Sequence, residues 1–397
     1  MKIESVEPIV LRVQPAETYW GARTWSADQG TELGEYPVTA RRRYAYSNTV
    51  DTVLVRVVTS DGVVGWGECK APVAAPATAA LVTELLTPMI VGSRLDEIAV
   101  SWERMYAAMR VRGHDSGFWL EALSGVDIAL WDAWARTLQQ PIHALLGGAF
   151  RGSVPVYASG IPAGADTDRV RAEAERLVAA GYTAIKVAIG TDPACDVASV
   201  AAVTDVVGPT GRVFADAAGQ YDLRQALRVG RALGELGIGF FEMPIPPEDI
   251  DGYRDLAQRL DTPLALDSLA TRHRALDFLR LGALHVLQPD VCRAGGITGV
   301  TRIAALADAF GAMATPHVSI GSAVHFAASL QCAAAMPNFD ICEYWIGNNP
   351  LGRPVAPDLE VPVAGQWLVS PGPGLGITVD EPAVRILAEQ ARQTRPS

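Results

Sequence analysis

Thr183-Ala184-Ile185-Lys186-Val187-Ala188 is followed by Arg212-Val213-Phe214-Ala215-Asp216 and then by Gly239-Phe240-Phe241-Glu242. Each is a short apolar run with an ionisable residue at or near its end. The pattern continues to Asp267, Asp290, His317 and Glu343, in steps of 30, 26, 25, 23, 27 and 26 residues from Lys186 onward. A step of that size holds one strand, one helix and two short loops. Side chains at the ends of successive strands converge only if the strands close into a parallel barrel, whose active site lies at the strands' C-terminal ends. The spacing therefore predicts an enzyme.

Working outward, eight strands are predicted, from Val154–Ser159 to Asp340–Glu343, with seven amphipathic helices between them, from Asp168–Ala180 to Ser322–Ala335. Gly181, Gly208, Gly237 and Gly311 follow four of these as helix stops. After Glu343 the sequence is Gly- and Pro-rich with no eighth helix, which predicts a (β/α)7β modified TIM barrel, an α/β fold. Upstream, Val50–Thr59 and Val63–Glu68 flank Ser60-Asp61-Gly62, a hairpin signal, and helices are expected at Ala77–Leu86, Leu95–Met109 and Phe118–Leu138. This α+β half is expected to cap the barrel. The predicted division is a capping domain over 1–130, the barrel over 131–355, and a C-terminal segment over 356–397. In that segment a strand-like Gln366–Val369 is expected, and the tail is predicted to pack back on the cap. Glu17–Tyr46 reads as a long, aromatic-rich loop. Its Tyr19, Trp20 and Tyr44 are expected to contact substrate, with a subunit interface as the alternative.

Composition narrows the function classes. The chain has 397 residues, 49% hydrophobic and 19% charged, which suits a well-cored globular protein. A formal charge of −11 and a pI near 5.1 argue against nucleic-acid or anionic-membrane partners. No 18-residue apolar run or signal-peptide pattern is present, and the five scattered cysteines read as free thiols, so a cytoplasmic protein is expected. There are three lysines, Lys2, Lys70 and Lys186, against 30 arginines. A lysine retained inside an apolar strand, as Lys186 is, requires a partner or a shifted pKa.

Asp216, Glu242 and Asp267 end three consecutive strands. Converging carboxylates repel unless neutralised, and a hard divalent cation with oxygen ligands, most simply one Mg2+, does this. Taken singly, each could instead cap a helix or pair with an arginine. Asp290 and His317 end the next two strands, where the carboxylate can fix the imidazole tautomer and raise its basicity as an acid/base dyad. Glu343, across the mouth, could hydrogen-bond a substrate oxygen or pair with a loop arginine. The other histidines are read as structural. Gly295-Gly296 allows close backbone approach but lacks the context of a phosphate loop.

These residues resemble the enolase superfamily, specifically its mandelate racemase/muconate lactonizing enzyme group. Further marks are Gly65-Trp66-Gly67-Glu68, the stretch Ala122–Asp132 followed by Leu145-Leu146-Gly147-Gly148, and Pro373-Gly374-Leu375-Gly376. The resemblance implies Mg2+-assisted abstraction of the proton α to a carboxylate, giving a metal-stabilised enediolate from a small-molecule carboxylate substrate. It assigns Asp216, Glu242 and Asp267 to the metal, Asp290 and His317 to the dyad, Glu343 to a hydrogen-bonding acid, and Lys186 to the first lysine of a Lys-x-Lys pair. It also implies a homo-oligomer, whose size no sequence stripe sets.

Departures from the family pattern shape the reaction. The second lysine, usually a base on one substrate face, is Ala188; Asp-x-Asn is Asp216-Ala217-Ala218; Glu-Glu-Pro is Glu242-Met243-Pro244; and the fifth strand ends Asp267-Ser268-Leu269. One evident base, His317, favours one-face β-elimination by a dehydratase acting on an acid sugar. Lactone cycloisomerisation is the runner-up and epimerisation, with Lys186 or a water as second acid, the third. A carboxylate-binding protein without turnover is the non-enzyme alternative.

Overall fold

The computed structural model describes residues 1–14, 30–31, 38–39, 47, 49–347 and 349–393. Tyr19, Trp20 and Tyr44, expected to contact substrate, lie outside the described residues.

The cap is built on a three-stranded antiparallel sheet of β1 (Ile3–Val13), β2 (Val50–Thr59) and β3 (Val64–Cys69), with β2 in the middle. Helices α1 (Ala75–Leu81), α2 (Ile98–Arg110) and α3 (Phe118–Thr137) follow. Helix α3 is buried almost throughout and lies so close to β3 that a Cβ on Gly67 would stand 1.9 Å from the Gly125 carbonyl oxygen. Only glycine tolerates that approach. Residue 130 lies inside α3, which runs on unbroken to Thr137.

The barrel strands are β4 (Ser153–Pro162), β5 (Ala184–Ala188), β6 (Arg212–Asp216), β7 (Phe241–Glu242), β8 (Leu264–Leu266), β9 (Val286–Leu287), β10 (Met313–Ala314) and β11 (Cys342–Trp345). They pair in parallel from β4 to β10 in chain order, and β11 pairs with β4. A parallel bridge between Ala314 and Phe339, just ahead of β11, closes the ring. Helices α4 (Thr167–Ala179), α5 (Pro193–Val207), α6 (Leu223–Glu235), α7 (Ile250–Arg259), α8 (Arg272–Arg280), α9 (Gly296–Ala309) and α10 (Ala323–Ala335) occupy the seven connections. The expected (β/α)7β barrel under an α+β cap is the observed fold. Its floor is aromatic: Phe214 stacks on Phe240 with centroids 4.2 Å apart, and Tyr157 lies 5.1 Å from Phe214.

The tail behaves differently from expectation in one respect. Its strand β12 (Gln366–Leu368) pairs antiparallel with barrel strand β4, not with the cap. Contact with the cap comes instead from an unforeseen helix, α11 (Glu381–Gln393), which packs on β1. There Arg385 pairs with Glu7, and Glu381 with Arg56.

The family-like marks prove to be clasps between cap and barrel. Glu68 is fully buried and accepts from Thr52 Oγ1 (2.7 Å), Ser322 N (2.9 Å) and His325 N (2.9 Å), holding the start of α10. Ser124 Oγ accepts from the amides of Gly295 and Gly296, and Asp127 takes the amide and hydroxyl of Thr298. A Cβ on Gly296, at φ 72°, would stand 2.3 Å from Asp127 Oδ2, so Gly295-Gly296 serves close approach of the cap helix. Glu68→Gln would point an amide N–H at these donors. We expect it to lower unfolding stability by about 1.5–3 kcal/mol, the range for hydrogen bonds to a charged group. Urea denaturation checks this, and an unchanged midpoint would contradict the clasp.

Candidate active site

Asp216 and Glu242 end β6 and β7, Asp267, Asp290 and His317 follow β8, β9 and β10, and Lys186 and Glu343 lie within β5 and β11. Ala188, Asp216 and Glu242 stand side by side, paired in register across β5, β6 and β7. Lys186, two residues before Ala188, is on the same face of its strand. Its ammonium is 2.7 Å from Glu242 Oε2 and 2.9 Å from Glu343 Oε1, and the residue is 2% exposed. Burial opposes the charge, but Glu242 and Glu343 outweigh it and hold the lysine pKa well above its usual value. Lys186 is thus a charged bridge across the mouth. Glu343 also accepts from Val318 N at 3.0 Å. Burial works to raise its carboxyl, while Lys186 and His317 prevail and depress it.

Glu242 responds the other way. Burial raises its pKa well above the ordinary carboxylate range; Lys186 lowers it, while Asp216, Glu343 and Asp267 raise it further. Ligand atoms of Glu242, Asp267 and His317 lie within 4.8 Å of one another. Asp216 is not in that cluster, although its charge still acts on Glu242. It caps its own turn, accepting from the Ala218 amide at 2.8 Å. Asp267 Oδ1 is buried without a hydrogen-bond partner. An orphaned carboxylate oxygen among crowded acids fits a hard divalent cation with oxygen ligands. Ala218 and Met243, two departures from the family pattern, sit at φ 48° and 39°. That left-handed backbone is uncommon for non-glycine residues, though asparagine adopts it more readily than alanine.

Asp290 and His317 are brought together: His317 Nδ1 is 2.9 Å from Asp290 Oδ2. An ionised carboxylate there makes Nδ1 the donor and leaves Nε2 as the basic atom. Nε2 lies 3.6 Å from both Asp267 Oδ2 and Glu343 Oε2, so it faces the carboxylate cluster. Burial would raise the Asp290 pKa, but Lys70, His325 and His317 together hold it well below the usual range.

Two of those groups were missed in the sequence. Lys70, immediately after β3 in the cap, is buried and donates to Asp290 Oδ2 at 2.8 Å and to Ser319 Oγ. The signal was present, because Lys70 is as rare a lysine as Lys186. His325, read as structural, has Nε2 3.2 Å from Asp290 Oδ1. It lies within the Ala-rich helix α10, where nothing in the sequence marks it.

A cluster of acids, one bridging ammonium and a carboxylate-fixed imidazole gathered at the mouth of a capped barrel define a barrel enzyme. A family model described as the mandelate racemase / muconate lactonizing enzyme N-terminal domain matches residues 38–147, and one described as enolase C-terminal domain-like matches residues 169–383. The chain is 35% identical over 344 residues to a D-galactarolactone cycloisomerase of Agrobacterium fabrum, covering 84% of this chain and 90% of that protein. It is 32% identical over 334 residues to an arabinonate dehydratase of Saccharolobus solfataricus, covering 83% and 88%. The solved structure of a racemase from Streptomyces coelicolor A3(2) with bound magnesium matches with a TM-score of 0.83 at 25% identity, covering 97% of this chain and 99% of that one. The chain belongs to the enolase superfamily, in its mandelate racemase/muconate lactonizing enzyme group.

Proposed function

We propose that this protein abstracts the proton α to a carboxylate with His317 and expels a β-oxygen from the same face, as a dehydratase of an acid sugar or related hydroxy acid. The observation that carries the reading is the asymmetry of the mouth. His317 Nε2, oriented by Asp290, is the base, while the position in register with Asp216 on the neighbouring strand β5 is the methyl of Ala188. With one base, the proton taken from the α-carbon is available to the departing hydroxyl, which leaves as water. Asp216, Glu242 and Asp267 would hold a divalent cation, most simply Mg2+. When bound, it supplies positive charge opposite the negative charge that develops on the substrate carboxylate. Lys186 keeps Glu242 and Glu343 in place and adds its own positive charge to the site.

Lactone cycloisomerisation is the second reading, supported by the similarity to the D-galactarolactone cycloisomerase. It uses the same base, with a ring oxygen as the group expelled. The free thiols of all five cysteines support a cytoplasmic setting. Among the described residues no helix is long and apolar enough to cross a membrane.

The test is proton NMR in heavy water on both α-epimers of an accepted acid. Elimination or label uptake is expected for one epimer alone. Equal uptake by both epimers would show two working faces and replace the reading with an epimerase. Neither exchange nor consumption across aldonic and aldaric acids and their lactones would leave a carboxylate-binding protein.

A further inference from the structure

Beside the dyad, a cavity of about 200 Å3 opens between the first turn of α3 and the turn that follows β9. Its walls include Asp267 and Asp290, so it is continuous with the reacting centre, and beyond them stand Glu121, Ser116 and Arg293. Glu121 comes from the cap and Arg293 from the barrel. No step of the proposed reaction uses either.

Glu121 is 6% exposed, and its Oε2 is buried without a hydrogen-bond partner. Its Oε1 lies 3.5 Å from Arg293 Nε, and the Arg293 side chain is 44% exposed. A buried acceptor that lacks a donor is unfavourable in a folded protein unless something bound supplies one. A guanidinium beside it can in turn donate to that same group.

We propose that Glu121 and Arg293 form a subsite for a hydroxyl group on the far part of the substrate chain. The substrate is then a polyhydroxylated monocarboxylate, or its lactone, in preference to a dicarboxylate. The inference rests on the α-proton abstraction reading above. A hydroxyl satisfies both partners, donating to Glu121 Oε2 and accepting from Arg293. A second carboxylate brings no donor to Glu121, whose carboxyl burial raises to about 7 against the pull of Arg293, and once Glu121 is ionised it would repel that carboxylate; Asp290 is already paired with Lys70. The Arg293 charge is already shared with Glu121, so it does not offset that repulsion.

The experiment measures kcat/KM of the full-length protein with Mg2+ on aldonates, their terminal-deoxy analogues and the matching aldarates. Glu121→Met and Arg293→Met are compared with wild type. Wild type is expected to prefer the hydroxyl-bearing acid to its deoxy analogue by roughly tenfold or more, the worth of one hydrogen bond to a charged group. Glu121→Met should lose that preference and gain on the aldarate. Arg293→Met should lose on the hydroxyl-bearing acid without the gain. A structural role would instead lower all substrates in proportion, and that result, or an unchanged preference in both variants, would overturn the subsite. If wild type neither consumes nor exchanges any acid, the functional reading falls and the subsite with it. Turnover with unaltered selectivity overturns the subsite alone.

Discussion

Chelation of divalent cations is expected to abolish turnover, and added Mg2+ to restore it, with Mn2+ a workable substitute. The electrostatics of the mouth call for this. Asp216, Asp267 and Glu343 all act on Glu242 there, and among the described residues the ammonium of Lys186 is the cation that bridges Glu242 and Glu343. Lys186 is committed to Glu242 and Glu343, and Asp267 Oδ1 has no hydrogen-bond partner among the described residues. A divalent cation would offset two of the excess negative charges, and oxygen ligands select a hard ion. Glu242→Gln and Asp267→Asn should each weaken cation affinity by tenfold or more, on the order of what even an outer-shell change costs a metal site. Asp216→Asn tests the third ligand. Because Asp216 stands outside the Glu242–Asp267–His317 cluster, a variant with unchanged affinity would remove it from the ligand set. Cation titration followed by calorimetry reads all three, and full activity after exhaustive chelation would overturn the triad.

The barrel was legible because its repeat is one-dimensional. Strand ends from Lys186 to Glu343 recur at a nearly constant step, and closure turns that step into convergence. What the step conveys is which strand carries a residue, not how far its oxygen reaches. That is why Asp216 can end β6 in register beside Glu242 and yet not share the cluster of Glu242, Asp267 and His317. Contacts between cap and barrel were less legible, since they join residues far apart in sequence. Lys70 and Asp290 are separated by 220 positions. Only the scarcity of lysine marks Lys70 in the sequence, because it lies outside the apolar strand context that makes Lys186 conspicuous. Glu121 had no signal, because an acid in the first turn of a helix is ordinary. Helix α11 was hidden by the Gly- and Pro-rich stretch before it, although Val384, Ala388 and Ala391 are spaced for one buried face.

His317→Asn is expected to reduce turnover by roughly 10²–10⁴-fold, the range for loss of a general base, with substrate binding largely retained. The imidazole is the group whose Nε2 faces the acid cluster, and its other nitrogen is fixed by Asp290. Asparagine can still donate to Asp290 from a similar position but cannot take a proton. The Asp290→Asn variant should divide differently between activity and stability. Asp290 orients the imidazole without carrying the substrate proton, so its catalytic cost should be smaller in correctly folded protein. Yet the same carboxylate neutralises Lys70 at 2.8 Å, where both side chains are almost fully buried. Removing one partner of a buried ion pair costs about 3–5 kcal/mol, since the other charge is left without compensation. Asp290→Asn should therefore show the larger fall in unfolding stability and His317→Asn the larger fall in kcat. Pre-steady-state turnover and urea denaturation on the two variants separate these effects. A fully active His317→Asn protein would move the base to another residue, with Lys186 the first to test by Lys186→Met. A stable Asp290→Asn protein would instead show that Ser319 and solvent suffice to hold the Lys70 ammonium.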